Sequence, residues 1–319
     1  MSAPDDRLHD TDPSPALGSD WYPSRWGTDD QRGNGNLLGP AKVKQALALV
    51  ETADIVRLGH EYDARIPLSP GRIFGLRMPG GPTGGPEGRR SRTVWNDEFL
   101  STEIGQIGTH MDALGHLGRQ IGDKSDHGNI RFYNGTPLSD IWSPYGLTKL
   151  GIENAPIFFT PGLLLDVQAL KGRVLDPGEE ITVADLRACL DAQGLSEDVF
   201  TPGDAVLIRT GHGSRFRTEA ATFYDGAPGL GLDAAEWLAP KEPAVVGADN
   251  FAVDVYPPID PDVFHPVHQH LIMKHGIYLH EGMNLDALAG RKRWRFAYVF
   301  APLPIVGATG SPGAPFALL

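Results

Sequence analysis

Short apolar runs that alternate with helix-length segments constrain this chain more than any other feature. The runs IFFTPGLLLDV, DAVLIRTG, AVVGADNFAVDV, IYLHE and RWRFAYVFAPLPIVG are punctuated by Gly, Pro or Asp, and they read as buried strands. Between them lie helical patterns. Thr182 with Asp185 can cap VADLRACLDAQG, which ends at Gly194, and PVHQHLIMKHG is stopped by Gly276. Strands interleaved with helices imply an α/β domain whose sheets are mixed. In the first half, Pro40 suits the first turn of a helix through KVKQALALVETA, and ADIVRLGHEY reads as a strand. The Gly- and Pro-rich stretch from Pro67 to Pro86 cannot be helix and is long for a passive connector, so it is expected to cover a pocket. Residues 1–21 are polar with little to bury and are expected to form a mobile lead-in, leaving 22–319 as one catalytic domain.

Charge and composition exclude several classes of partner. Lys and Arg number 28 against 40 Asp and Glu, a net charge of −12 whose average field repels nucleic acid and anionic membrane. The lone Cys189 excludes an intramolecular disulfide framework, and the start of the chain lacks the apolar core of a secretory signal. The expected location is the cytoplasm. No GxSxG elbow is present, and Cys189 lies within an amphipathic helical pattern, where it reads as an inert core residue.

The stretch QIGTHMDALGH carries the chemistry. A spacing of two from His110 to Asp112 aims both side chains to one face only if the segment is extended, and the flanking glycines favour that over helix. His and Asp are common ligands of a divalent ion, and a second crowd of such groups, His265, His268, His270, His275, His280 and Glu281, follows late in the chain. A hydrogen-bonded His and Asp pair without a metal is the alternative reading of the first group, and a cap on the NLDALAG helix is the alternative for Glu281.

QIGTHMDALGH resembles the HxGTHxDxxxH signature of the metal-dependent cyclase family, which includes bacterial kynurenine formamidases and isatin hydrolases. SRWGTDDQRGNGNLLGP, FYNG, GLLLDV, GDAVLIRTG, PVHQHLIMKHGIYLHEGMNL and APLPIVGATGSP agree with its longer members, so the likeness runs from about residue 22 to the carboxyl end. The resemblance implies a swivelling β/β/α fold, a homodimer or homotetramer, and a bound divalent metal. It implies His110 and Asp112 as ligands, His116 as a catalytic base or second-metal ligand, and Glu281 as the late glutamate. Gln106 stands where the family's first motif histidine belongs. An amide oxygen is a harder donor than imidazole, which moves the expected ion from Zn2+ toward Mn2+ or Mg2+. A further ligand is expected from the helix before Gly276: formamidase spacing points to Gln269, ranked first, and the form of PVHQHLI points to His268. His270 and His275 are expected to be packing or surface residues.

The chemistry implied is attack of activated water on a small amide, lactam, lactone or ester carbonyl, with His116 moving the proton. A cyclase or dehydratase on the same metal site and a non-catalytic binding protein are the alternatives. Trp26, Phe74, Trp95 and Tyr133 lie beside family-like stretches and are the expected aromatic contacts to a planar substrate. Specificity is expected to reside in loops 67–92 and 212–236.

Overall fold

A computed structural model describes residues 13–319. Nine strands form one mixed sheet: β1 (Ile55–Arg57), β2 (His110–Asp112), β3 (Phe158–Asp166), β4 (Ala205–Arg209), β5 (Val245–Ala248), β6 (Tyr278–Glu281), β7 (Arg295–Phe300), β8 (Gly310–Pro312) and β9 (Phe316–Leu318). Their spatial order is β1-β9-β7-β3-β4-β5-β6-β2-β8. β3, β4, β5 and β6 run parallel, whereas β7 and β9 on one side, and β2 and β8 on the other, pair antiparallel.

The parallel centre explains the sequence pattern. Strands covered on both faces read as continuous apolar runs, and β3, β4 and β5 are buried over almost every residue. Leu163, Leu164, Leu165, Val206, Leu207 and Val246 form the middle of the main core. Helix α1 (Pro40–Leu47) begins at the expected proline. α2 (Val183–Ala192) carries the full capping box, with Thr182 and Asp185 each satisfying the other's backbone N–H. Cys189 is buried in this helix against the core, and burial pushes its thiol up to about 12, so it has no nucleophilic character at neutral pH.

Two expectations change at the level of the fold. The stretch after Pro67 is not bare loop. Phe74–Arg77 pairs antiparallel with Phe99–Thr102, and Gly84–Glu87 with Thr93–Trp95, making an arm beyond the main sheet. The packed chain also begins before residue 22: Leu17 and Trp21 are buried against Ile121 and Met273, and the Ala16 carbonyl meets His270 Nδ1 at 2.9 Å. Residues 1–12, the rest of the expected lead-in, lie outside the described residues. Among the described residues no helix is long and apolar enough to cross a membrane.

Two histidines under the arm link the fold to pH. His60 stacks on Phe216 at 3.9 Å, and His212 packs on Phe223 with its Nε2 3.0 Å from the Phe223 carbonyl. Burial holds both imidazoles down to about 4, from an ordinary 6.5, with Arg217 adding to the effect at His60. Because the folded values lie below the unfolded one, the stability these groups contribute is present above pH 6.5 and is lost as pH falls toward 4. The slope is on the order of 1 kcal/mol per pH unit for each group. A melting temperature recorded against pH should be flat above neutrality and fall through that window, and His212→Gln should make the fall shallower.

Candidate metal and catalytic centre

β2 places the motif. His110 and Asp112 are two apart on an extended strand and so share a face, while Met111 turns to the core. In the antiparallel pairing of β2 with β6, Glu281 stands opposite His110 and His280 opposite Met111. Glu281 therefore joins the motif face, and His280 is aimed the other way, where its Nδ1 meets the Tyr298 hydroxyl at 2.5 Å. The two backbones pass closely at Gly108 and Gly282, whose φ values of +56° and +59° favour glycine; a Cβ on Gly282 would lie 2.3 Å from the Gly108 carbonyl oxygen. Thr109 Oγ1 donates to the Gly282 carbonyl at 2.6 Å and ties the strands there.

The fourth group comes from α3 (Pro266–His268), which continues as a π-helix over Gln269–Lys274. Asp254 accepts the backbone N–H of Val267 at 2.7 Å and of His268 at 3.2 Å, and its Oδ2 lies 2.6 Å from His268 Nδ1. One carboxylate thus caps the helix and fixes the ring. With Nδ1 committed to Asp254, His268 directs Nε2 at Asp112 Oδ2, 3.5 Å, and Glu281 Oε1, 3.1 Å. His110 does the same from the other side: its Nδ1 meets the Gly108 carbonyl at 3.0 Å, and its Nε2 faces Asp112 Oδ1 at 3.7 Å and Glu281 Oε2 at 3.4 Å.

This geometry concentrates lone pairs. Two imidazole nitrogens whose partner nitrogens already have an acceptor face two buried carboxylates, and Asp112 Oδ2 and Glu281 Oε1 accept no hydrogen bond. Unsatisfied buried carboxylate oxygens are costly unless a cation stands among them. The set of two imidazoles and two carboxylates suits a divalent ion of the Zn2+ or Mn2+ type. His116 completes the group, with Nε2 4.0 Å from Asp112 Oδ1; one donor atom from each of Asp112, His116 and His268 lies within 4.8 Å of the others.

The charges respond accordingly. Burial pushes the Asp112 carboxyl up, but His116, His268 and His110 together hold it below its ordinary value. Burial pulls His268 down, and its three carboxylate neighbours Asp112, Asp254 and Glu281 more than reverse this, raising it well above 6.5. At His116 burial wins over the attraction of Asp112, and the imidazole is held below its ordinary value. It is thus a neutral base at pH 7.

A cavity of about 300 Å3 opens onto this floor. Gln106 lies on its wall, but its amide nitrogen donates to Asp112 Oδ1 at 3.0 Å, so it steadies that carboxylate instead of presenting an oxygen to the centre. Gln269, ranked ahead of His268 from spacing, is turned away: its Nε2 donates to the Phe264 carbonyl at 2.7 Å. Successive helical residues diverge by about 100°, so only one of the two can face the site, and it is His268. None of the four expected aromatic contacts lines the cavity. Trp26 lies under Arg25 at the surface, Phe74 and Trp95 belong to the arm, and Tyr133 is a core residue hydrogen-bonded to Ser24 and Asp30. The aromatic wall is instead Tyr224, Phe251, Tyr256 and Phe264. Sequence reasoning also missed Asp254 and gave His265 no role, although His265, at φ +48°, borders the cavity. The loops expected to govern specificity do reach it, through Ser69, Pro70, Arg72 and Tyr224.

Fold and site together define an α/β protein with a buried His and carboxylate centre built for a divalent cation. Residues 56–255 match the family described as "Putative cyclase", and the chain belongs to that family. The structure of a novel cyclase superposes with a TM-score of 0.80 at 32% identity, covering 94% of this chain and 97% of that one. Isatin hydrolase A from Ralstonia solanacearum gives a TM-score of 0.54 at 23% identity, over 83% and 92% of the two chains. An isatin hydrolase bound to the product analogue thioisatinate gives 0.56 at 21% identity, over 88% and 99%. No curated protein matches the sequence. The expected family and fold are therefore both borne out.

Asp254 should matter without touching the ion. Partners that fix a ligating imidazole typically change metal affinity by about 10- to 100-fold when lost. Asp254→Asn is expected to weaken zinc or manganese binding by that amount in calorimetric titration, whereas Gln269→Ala should leave it unchanged.

Proposed function

We propose that this chain is a metal-dependent hydrolase that adds water to the carbonyl of a small cyclic or aryl amide, lactam, lactone or ester. The convergence of His110, His268, Asp112 and Glu281 at the floor of a small cavity, with neutral His116 beside them, carries the reading. His110, Asp112, His268 and Glu281 would hold the ion, Zn2+ or Mn2+, with Mg2+ less suited to the two imidazoles. When bound, such an ion supplies Lewis acidity toward the carbonyl and makes water acidic enough to ionise near neutral pH. His116 accepts the proton of the attacking water and returns it to the leaving group, a role typically contributing about 10²- to 10⁴-fold. Asp254 holds the His268 ring in place, and Gln106 holds Asp112. The aromatic wall excludes water and orients a planar substrate. The isatin hydrolases among the fold neighbours support the choice of a cyclic amide or related carbonyl.

We further infer a cytoplasmic homodimer or homotetramer with no nucleic-acid or membrane partner. The net charge of −12 supports the last point. The arm supports self-association, since Ile73, Leu76, Phe99 and Leu100 are all exposed on it, and grouped apolar side chains of this kind mark protein contacts.

Activity on an aryl ester or lactam panel should vanish with chelator and return with manganese or zinc, and His110→Ala and His116→Ala should each lower kcat at least about a hundredfold. In water enriched in oxygen-18, label should enter the carboxylate product; a product free of label would instead indicate a cyclase or dehydratase. Light scattering of the purified protein should give a dimer or tetramer mass, reduced by Phe99→Ser, and a monomer at micromolar concentration would remove the assembly claim.

A further inference from the structure

We propose that the substrate carries an anionic group besides its scissile carbonyl, and that Arg72 is the residue that pairs with it. Arg72 lines the same cavity as His110, His116 and Glu281. It is half-buried, held on its loop by a backbone hydrogen bond to Ser69 at 3.1 Å. The other arginines of this region are occupied: Arg57 faces Glu61 at 3.6 Å, and Arg65 and Arg217 both meet Asp63 at 2.7 Å. Among the described residues Arg72 has no ion-pair partner within 4.0 Å, and its guanidinium donates no hydrogen bond. Glu103 senses its charge but is engaged with the Ile73 N–H at 2.9 Å.

A guanidinium without a protein partner at the wall of a cavity is a fork of donors suited to a carboxylate or similar oxyanion. Arg72 adds a positive charge to the cavity wall of a chain whose net charge of −12 gives an average field that disfavours an anion. Tyr224 and Phe251, whose ring centroids are 4.8 Å apart, line the same cavity. Tyr224 lies in both fields: burial and Glu281 raise its phenol to about 12 while Arg72 opposes them, so it stays protonated and able to donate. A volume near 300 Å3 fits a ring of one or two cycles, not a polymer end. The ligand class is thus a planar carbonyl compound that also carries a carboxylate or equivalent anion. For the scissile bond this rests on the hydrolase reading; for recognition it rests on the cavity alone.

The test is a binding comparison, so it does not need turnover. Metal-loaded protein is titrated calorimetrically with 3-carboxybenzamide and with benzamide, which share the planar amide and differ by one anion. The expected result is about tenfold tighter binding of the carboxylated probe, falling with ionic strength. Arg72→Gln should reduce the preference to near one while leaving benzamide affinity and melting temperature unchanged, and Arg72→Lys should retain part of it. Equal affinity in the unmodified protein, no binding of either probe at millimolar concentration, or a preference that survives Arg72→Gln would overturn the proposal; the last would place the carboxylate on the metal. Should Arg72→Gln fail to fold, the salt dependence of the unmodified protein and the Arg72→Lys ratio still decide. Chelator-insensitive hydrolysis would defeat the hydrolase reading and leave this selectivity untouched.

Discussion

Two imidazole nitrogens facing two buried carboxylates form the arrangement around which the rest of this protein is organised. His110 and His268 approach Asp112 and Glu281 at 3.1 to 3.7 Å with their other ring nitrogens already engaged. In a dry interior such a group repels itself unless positive charge enters it. Either a proton on His268 or a divalent cation can supply that charge, and Asp112, Asp254 and Glu281 accordingly raise His268 well above 6.5. A proton satisfies one nitrogen, whereas a cation satisfies all the converging lone pairs at once. The arrangement is therefore more complete with a metal than without one.

The sheet holds these groups in opposition with little freedom to relax. β5 and β6 are parallel strands whose carboxyl ends open on the site, the usual position for ligands in α/β sheets. β2 adds antiparallel to β6 and brings His110 and Asp112 to Glu281 by register alone. After β5 the chain turns through Asn250, whose Oδ1 accepts the Val253 N–H at 2.7 Å and whose Nδ2 donates to the Pro228 carbonyl at 2.6 Å. That turn delivers Asp254 to the start of α3. Two strands thus place His110, Asp112 and Glu281 by register, and the helix that Asp254 caps from the turn after β5 places His268.

Much of this was legible in the sequence because it follows from short-range rules. Alternation within HMD requires a strand and a shared face, the apolar runs mark the parallel centre, and the Thr182 and Asp185 cap is local chemistry. The failure at Gln269 has an equally definite cause. The ranking rested on formamidase spacing counted back from Glu281, whereas the ring is turned to the site by the contact of Asp254 Oδ2 with His268 Nδ1 at 2.6 Å, which a residue count does not contain. Asp254 was invisible because its role depends on a turn formed by Asn250 contacts far apart in the chain. The aromatics were misplaced for a related reason. Trp26, Phe74, Trp95 and Tyr133 lie beside family-like stretches of the sequence, while the wall is assembled from segments around residues 224, 251, 256 and 264 that only the fold brings there.

The cavity's lining combines a carboxylate and imidazoles that suit a cation, four aromatic rings and one guanidinium. The floor comes from sheet strands and a capped helix, which cannot vary without loss of the register, whereas Arg72 and Tyr224 come from connecting segments that tolerate change. Reaction chemistry and substrate choice are therefore held by different parts of the chain. The two parts are nevertheless linked, because the Ile73 N–H donates to the Glu103 carboxylate at 2.9 Å, the Gln106 N–H donates to the Glu103 carbonyl at 2.9 Å, and the Gln106 amide donates to Asp112 Oδ1 at 3.0 Å, so a change in the loop can reach the motif carboxylate along that chain.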